Sequence, residues 1–179
     1  MSCGPDLSSD LVGYWDFNDN LEDQTTNSNH GIGSGGINYV NGVCGSSNGA
    51  LQFDGVNDLV DIPDHPAYAF GTDPFTVSFW MKTTQVPGIE SVISMKNNGN
   101  NGDGIVTFLN LTGNGKVSGR VRGGEDASSS GPLLNDGDWH HIVYTRNGTA
   151  QRIFVDGALN NSASLRWWMP RLRILSIWD

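Results

Sequence analysis

The chain is poor in cysteine, in basic residues and in long apolar runs, and each shortage removes a class of explanation. Two cysteines in 179 residues, Cys3 and Cys44, cannot build a zinc site alone, and neither sits in a C-x-x-C pair. In an oxidising compartment they could join; otherwise they are two thiols, and the spacing leaves both readings open. Ten Lys and Arg against 19 Asp and Glu give a net charge of -9. That balance repels a phosphate backbone, so nucleic acid is not an expected partner. No stretch is long and apolar enough to cross a bilayer as a helix, so no membrane insertion is expected. The opening MSCGPDLSSD has neither the basic start nor the apolar core of a signal peptide. No segment keeps a 3.6-residue apolar period over three turns, which argues against helical architecture.

What remains is glycine, 24 residues of it, with abundant Asn, Ser and Thr. That is the composition of many short strands joined by turns. Few charges and many amides and hydroxyls suit a polyhydroxylated ligand or a divalent cation. Period-two patterns recur along the chain. LVGYWDF places Leu11, Gly13, Trp15 and Phe17 on one face. PFTVSFWMKT puts Phe75, Val77, Phe79 and Met81 on one face and Thr76, Ser78, Trp80 and Lys82 on the other. GALQFDG, LVDIP, SVISM, GIVTFLNL, KVSGRVR, HHIVYT and RIFVDG complete the series. Asp-Gly and Asn-Gly pairs punctuate it, and a short helical turn fits HPAYAF. The fold expected is all-β: an antiparallel two-sheet sandwich of the jelly-roll kind.

Three places could carry chemistry. EDQTTNSNHG gathers Glu22, Asp23, Asn27 and Asn29 in one loop, and calcium takes six to eight such oxygens. The same composition also writes an ordinary loop of Asx-turns. Trp80, on the polar face beside Ser78 and Lys82, offers a ring on which a sugar can stack, with Arg120, Arg122 and Tyr144 as neighbours on that face. The tandem His140 and His141 in WHHI point to opposite sides of a strand and cannot chelate one ion. They are read as structural, one filling a polar slot and the other facing solvent, with Trp139 and Ile142 packing and Asp156-Gly157 turning the next hairpin. The acids Asp58, Asp61 and Asp64 are spaced by three and so do not share one strand face.

The ordered set W-x-F, ALQFDG, FTVSFW, WHHI and VDG, from about residue 10 to 160, resembles the laminin-G-like, concanavalin A-like lectin/glucanase superfamily. The resemblance implies a jelly-roll sandwich, a sugar-binding or adhesive role, an extracellular setting and a structural Ca2+. A family loop of the form D-x-SG-x-x-NHG matches here at Asp23, Asn27 and Asn29, which become the expected metal ligands. KNNGNNGDG, with Asn97, Asn98, Asn100, Asn101 and Asp103, is similar to loops holding calcium or sugar at the tip of pentraxin-like relatives, which adds Asp103 to Trp80 as a ligand-binding candidate. The glucanase signature E-x-D-x-x-E is absent, and with it the paired carboxylates of glycoside hydrolysis. No enzyme is therefore expected. In the resembled pattern a final strand follows VDG and LRIG; here SLRWWMPRLRILSIWD departs from it after about residue 165.

The resulting expectation is an N-terminal extension over 1-9 and a single jelly-roll domain over 10-179. Its role would be non-catalytic recognition or adhesion, directed at carbohydrate or a glycoconjugate. The location expected is extracellular, on a cell surface or on a virion. The alternative is a structural module making protein contacts, including self-association through an unpaired sheet edge.

Overall fold

The structure, a computed structural model, describes residues 10-71, 73-85, 92-94, 115-119 and 127-164. Among these every ladder is antiparallel, and no α-helix occurs. The all-β, antiparallel class read from the turn-rich composition is the one found. The chain divides into two compact units, 1-69 and 70-179.

In the first unit the strands are short. β1 (Ile32–Ser34) pairs with β4 (Leu59–Asp61), and β2 (Asn38–Val40) pairs with β3 (Ala50–Gln52). A 3-10 turn at Pro66–Tyr68 realises the helical turn expected in HPAYAF. Proline opens it with φ already set, and His65 caps it by accepting the Ala67 N–H. LVGYWDF is not a strand. Phe17 and Asp19 adopt positive φ (53° and 60°), which no ladder tolerates, and the segment is tied down by side chains instead. Cys44 is disulfide-bonded; the other cysteine, Cys3, lies outside the described residues.

The second unit is built on long strands. β5 (Phe75–Lys82), β8 (Trp139–Asn147), β9 (Ala150–Val155) and β10 (Ala158–Ser164) form one sheet in the order β10-β9-β8-β5. A small ladder joins β6 (Ser118–Gly119) to β7 (Ala127–Ser128). Alternation sends Phe75, Met81, Ile142, Tyr144, Ile153 and Val155 to one face, where they pack with Val117, Ala127 and Leu134. Each fully buried aliphatic side chain here stabilises by about 1.5–3 kcal/mol. The Tyr144 hydroxyl donates to the buried Gln151 amide oxygen, so the ring sits in the core without an orphaned polar tip. Gly119 faces that ring so closely that a methyl group would overlap it. Arg146 is buried as well, with its guanidinium 4.9 Å over the Phe75 ring and a hydrogen bond to the Asp73 carbonyl.

The β9–β10 hairpin turns on Asp156 and Gly157, both at positive φ (51° and 80°), as a two-residue turn of this hand requires. The register shifts between Leu159 and Asn161, a bulge in β10. Of SVISM the described residues 92-94 form no strand, which corrects that reading. The strand read in GIVTFLNL and the last three residues of KVSGRVR lie outside the described residues. So does the segment 165-179, and with it the predicted unpaired edge.

Candidate functional site

The loop of the first unit is assembled around one carboxylate. Asp23 is 4% exposed, and four donors converge on it. Oδ1 accepts the N–H groups of Tyr14 (3.0 Å) and Thr25 (2.9 Å). Oδ2 accepts the Thr25 hydroxyl (2.9 Å) and the Asn29 N–H (3.0 Å). Burial pushes the Asp23 pKa up, but these hydrogen bonds to the ionised form outweigh it and hold the carboxyl below its usual range. The Asp23 N–H in turn donates to His30 Nδ1 at 3.1 Å.

The two asparagines complete the assembly. Asn27 Nδ2 donates to the Val12 carbonyl at 3.0 Å, and its N–H donates to Thr25 Oγ1 at 3.2 Å. Asn29 is 8% exposed; its Nδ2 donates to the Tyr68 hydroxyl at 3.0 Å, and its main-chain carbonyl accepts Trp15 Nε1 at 3.1 Å. The structure therefore ties Asp23, Asn27 and Asn29 into one hydrogen-bonded loop. It arranges them as partners of protein donors. A carboxylate has about four acceptor positions, and Asp23 uses all four. As arranged, these residues do not fit a calcium ion, because an ion ligated by Asp23 must displace a donor. Among the described residues no three His, Cys, Asp or Glu side chains are grouped to hold a metal. Glu22 stands apart, with its N–H on Asn20 Oδ1. Sequence reasoning missed both Tyr68, 39 residues away from Asn29 in the chain, and Thr25, two residues after Asp23.

The second place is the face of the four-stranded sheet turned away from the core. Its rows follow from register: Lys82 beside Trp139, Trp80 beside His141, Ser78 beside Val143 and Phe154, Thr76 beside Thr145 and Arg152. Trp80 is 47% exposed and stacks on the His141 ring with centroids 4.9 Å apart and planes at 27°. Ser78 Oγ lies 2.9 Å from His141 Nε2, so the imidazole is held between a hydroxyl and an indole. Leu159, opposite Phe154, is also exposed.

Tyr144 is not on this face. Its partner in β5 is Val77, and it is fully buried in the core, so its expected place beside Trp80 is corrected. Trp139 likewise lies on the outer face, not packed with Ile142. Arg120, Arg122, Asn97, Asn98, Asn100, Asn101 and Asp103 fall outside the described residues.

His140 and His141 do point to opposite sides, as read from the sequence. His140 is the polar slot on the core side. Its Nδ1 is 2.9 Å from Asp156 Oδ2, and its Nε2 is 3.2 Å from Asp136 Oδ1. Asp156 Oδ1 also accepts the His141 N–H at 2.8 Å. The Asp156 hydrogen bond, with a second from Asp136, outweighs burial and raises the His140 pKa above its ordinary 6.5. Asp156 is pushed up by burial yet held low on balance by His140 and the His141 N–H. This carboxylate–imidazole–carboxylate pin was missed in the sequence, although Asp136 stands four residues before His140 and Asp156 lies in the turn recognised for its glycine.

The acids Asp58, Asp61 and Asp64 form no constellation. Asp58 Oδ2 accepts the Asp54 N–H at 2.8 Å, Asp61 ends β4 opposite Ile32, and Asp64 lies beyond the strand. An open depression of about 400 Å³ in the first unit is lined by Leu21, Ile37, Tyr39 and the turn 33-36. It contains none of the residues singled out above.

The chain is 36% identical over 91 residues to the rat protein named sushi, von Willebrand factor type A, EGF and pentraxin domain-containing protein 1. It is 33% identical over 93 residues to the mouse protein of that name. Each alignment takes in 50% of this chain and 2% of the relative, so the chain spans only a small part of these proteins. No solved structure gives a significant match. A family model described as the concanavalin A-like lectin/glucanases superfamily matches residues 54–172, and with well over half of its length covered the chain belongs to that superfamily.

Proposed function

We propose that this chain is a non-catalytic recognition module that binds carbohydrate on the outer face of its four-stranded sheet. The observation that carries the reading is the Trp80–His141 stack, an aromatic platform almost half open to solvent and held in place by Ser78. A pyranose presents a C–H face to such a ring and hydroxyls to its surroundings. Ser78, Thr76, Thr145, Lys82 and Arg152 supply donors and acceptors around it. A ring already stacked and tethered loses little conformational freedom on binding, which favours affinity. The disulfide at Cys44 supports an oxidising, extracellular setting.

A glycan array, followed by titration of the best ligand, tests the reading. Saturable binding should weaken at least tenfold in Trp80→Ala while the melting temperature stays the same. Silence across neutral and charged polysaccharides would favour the second reading, a protein-contact module. The exposed Leu159 beside Phe154 gives that rival its footing. Incubation with β-glucans, alginate and xylan checks the non-catalytic part. Products that disappear in Asp61→Asn would overturn it.

A further inference from the structure

We infer that the loop from Asp23 to His30 is closed by the Asp23 carboxylate itself, which takes the place a calcium ion would otherwise fill. The inference is independent of the glycan reading. It rests on the polarity of the site. A calcium site turns oxygen lone pairs inward, at 2.3–2.6 Å from the ion. Here the inward groups are donors: the N–H groups of Tyr14, Thr25 and Asn29 and the Thr25 hydroxyl, all within 3.0 Å of one carboxylate. The arrangement is that of an anion site whose anion is a side chain of the chain itself.

Three neighbouring oxygens are already engaged by protein donors. The Asn29 carbonyl already accepts the Trp15 indole N–H, and the Val12 carbonyl accepts the Asn27 amide. Thr25 Oγ1 both donates to Asp23 and accepts the Asn27 N–H. A cation approaching Asp23 would meet hydrogens on every acceptor position and would have to break the contacts that join residues 12-15 to 23-30. The loop also lies before residue 54, where the family match begins, so its chemistry is read from this chain alone.

The experiment uses the full chain. Melting scans in millimolar calcium and in chelator should superimpose, and Asp23→Asn should melt at a lower temperature in both. A calcium-induced rise in melting temperature that Asp23→Asn abolishes would overturn the inference; a rise that survives in Asp23→Asn places the ion elsewhere and leaves it standing. Should Asp23→Asn fail to fold, terbium luminescence on the unmodified chain decides. Trp15 is hydrogen-bonded into the loop and would sensitise a bound lanthanide. Emission no different from that of Trp15→Phe supports the inference, and emission lost in Trp15→Phe sinks it.

Discussion

The two units of this chain are held together by different physics. In the first, the described residues bury one apolar side chain, Ala50, together with two polar ones, Asp23 and Asn29. Its strands are three residues long, and its organisation comes from side chains that answer main-chain N–H and C=O groups. In the second, nine buried apolar side chains among the described residues meet along strands of up to nine residues, and the main chain pairs with itself. A polar assembly demands that every partner be present, because an orphaned buried donor costs about 1–3 kcal/mol. An apolar core distributes its stabilisation over many contacts and is damaged in proportion to the volume removed.

Substitutions should separate the two regimes. The largest loss is expected in the second unit: Ile153→Ala removes a fully buried side chain and should cost about 2–5 kcal/mol in denaturant unfolding. Next comes Asp23→Ala in the first unit, at roughly 2–3 kcal/mol, since some of the four donors it strands regain water. Hydrogen exchange sharpens the distinction: Asp23→Ala should speed exchange at Tyr14, Thr25 and Asn29 while the β8 amides stay protected. Equal acceleration in both units would erase the contrast drawn here.

The pH dependence differs by region too. The His140 pKa is raised by its carboxylate partners, so its contribution is fully present below pH 6.5 and is lost as pH climbs through the folded value. Above that value the neutral ring has one N–H and can serve only one of Asp156 and Asp136. Asp23 and Asp156 are held low, so their contributions are present above about pH 4 and fade as pH falls through their folded values. Stability should therefore peak in mildly acidic solution. His140→Gln should flatten the neutral limb and, because His140 helps hold Asp156 low, weaken the Asp156 part of the acid limb; Asp23→Asn should remove the Asp23 part of the acid limb and leave the neutral limb in place. The smallest expected effect on stability is Trp80→Ala, within about 0.5 kcal/mol, because the ring stands on an open face. A loss of 2 kcal/mol there would mean the indole packs structurally and is not a platform.

How far the fold could be read from the sequence follows the same line. PFTVSFWMKT was legible because strict alternation with one apolar face has a single arrangement in a sheet, and β5 has it. VDG was legible because Gly157 and its neighbour adopt the positive φ that the turn needs. HPAYAF was legible because proline opens a tight turn. LVGYWDF was misread because alternation of large side chains says nothing of where main-chain partners come from. Those partners are the Asp23 and Asn27 side chains and the Gln24 N–H, and they leave no period behind. Tyr144 was put on the wrong face because alternation within β8 fixes which residues share a side but not which side meets the core. The pairing of Trp80 with His141 decides that.

At the candidate sites the gap is wider. Asp23, Asn27 and Asn29 were named from the composition of their loop and its resemblance to a family loop, but oxygen-rich side chains satisfy a cation and an N–H equally well on paper. Composition cannot say which way the lone pairs will be used. The Asp136–His140–Asp156 pin was invisible because its second carboxylate arrives across a hairpin.

The sequence by itself determined that this protein is an antiparallel β structure, since strand alternation and turn residues are local properties written in order along the chain; the superfamily came from the resemblance of its ordered motifs. Only the tertiary structure decided what each polar side chain does: that Asp23 is met by four protein donors, that His140 is clamped while His141 carries Trp80 on the open face. Hydrogen-bond partners come from distant segments, and their identity depends on register and approach, which no local pattern encodes.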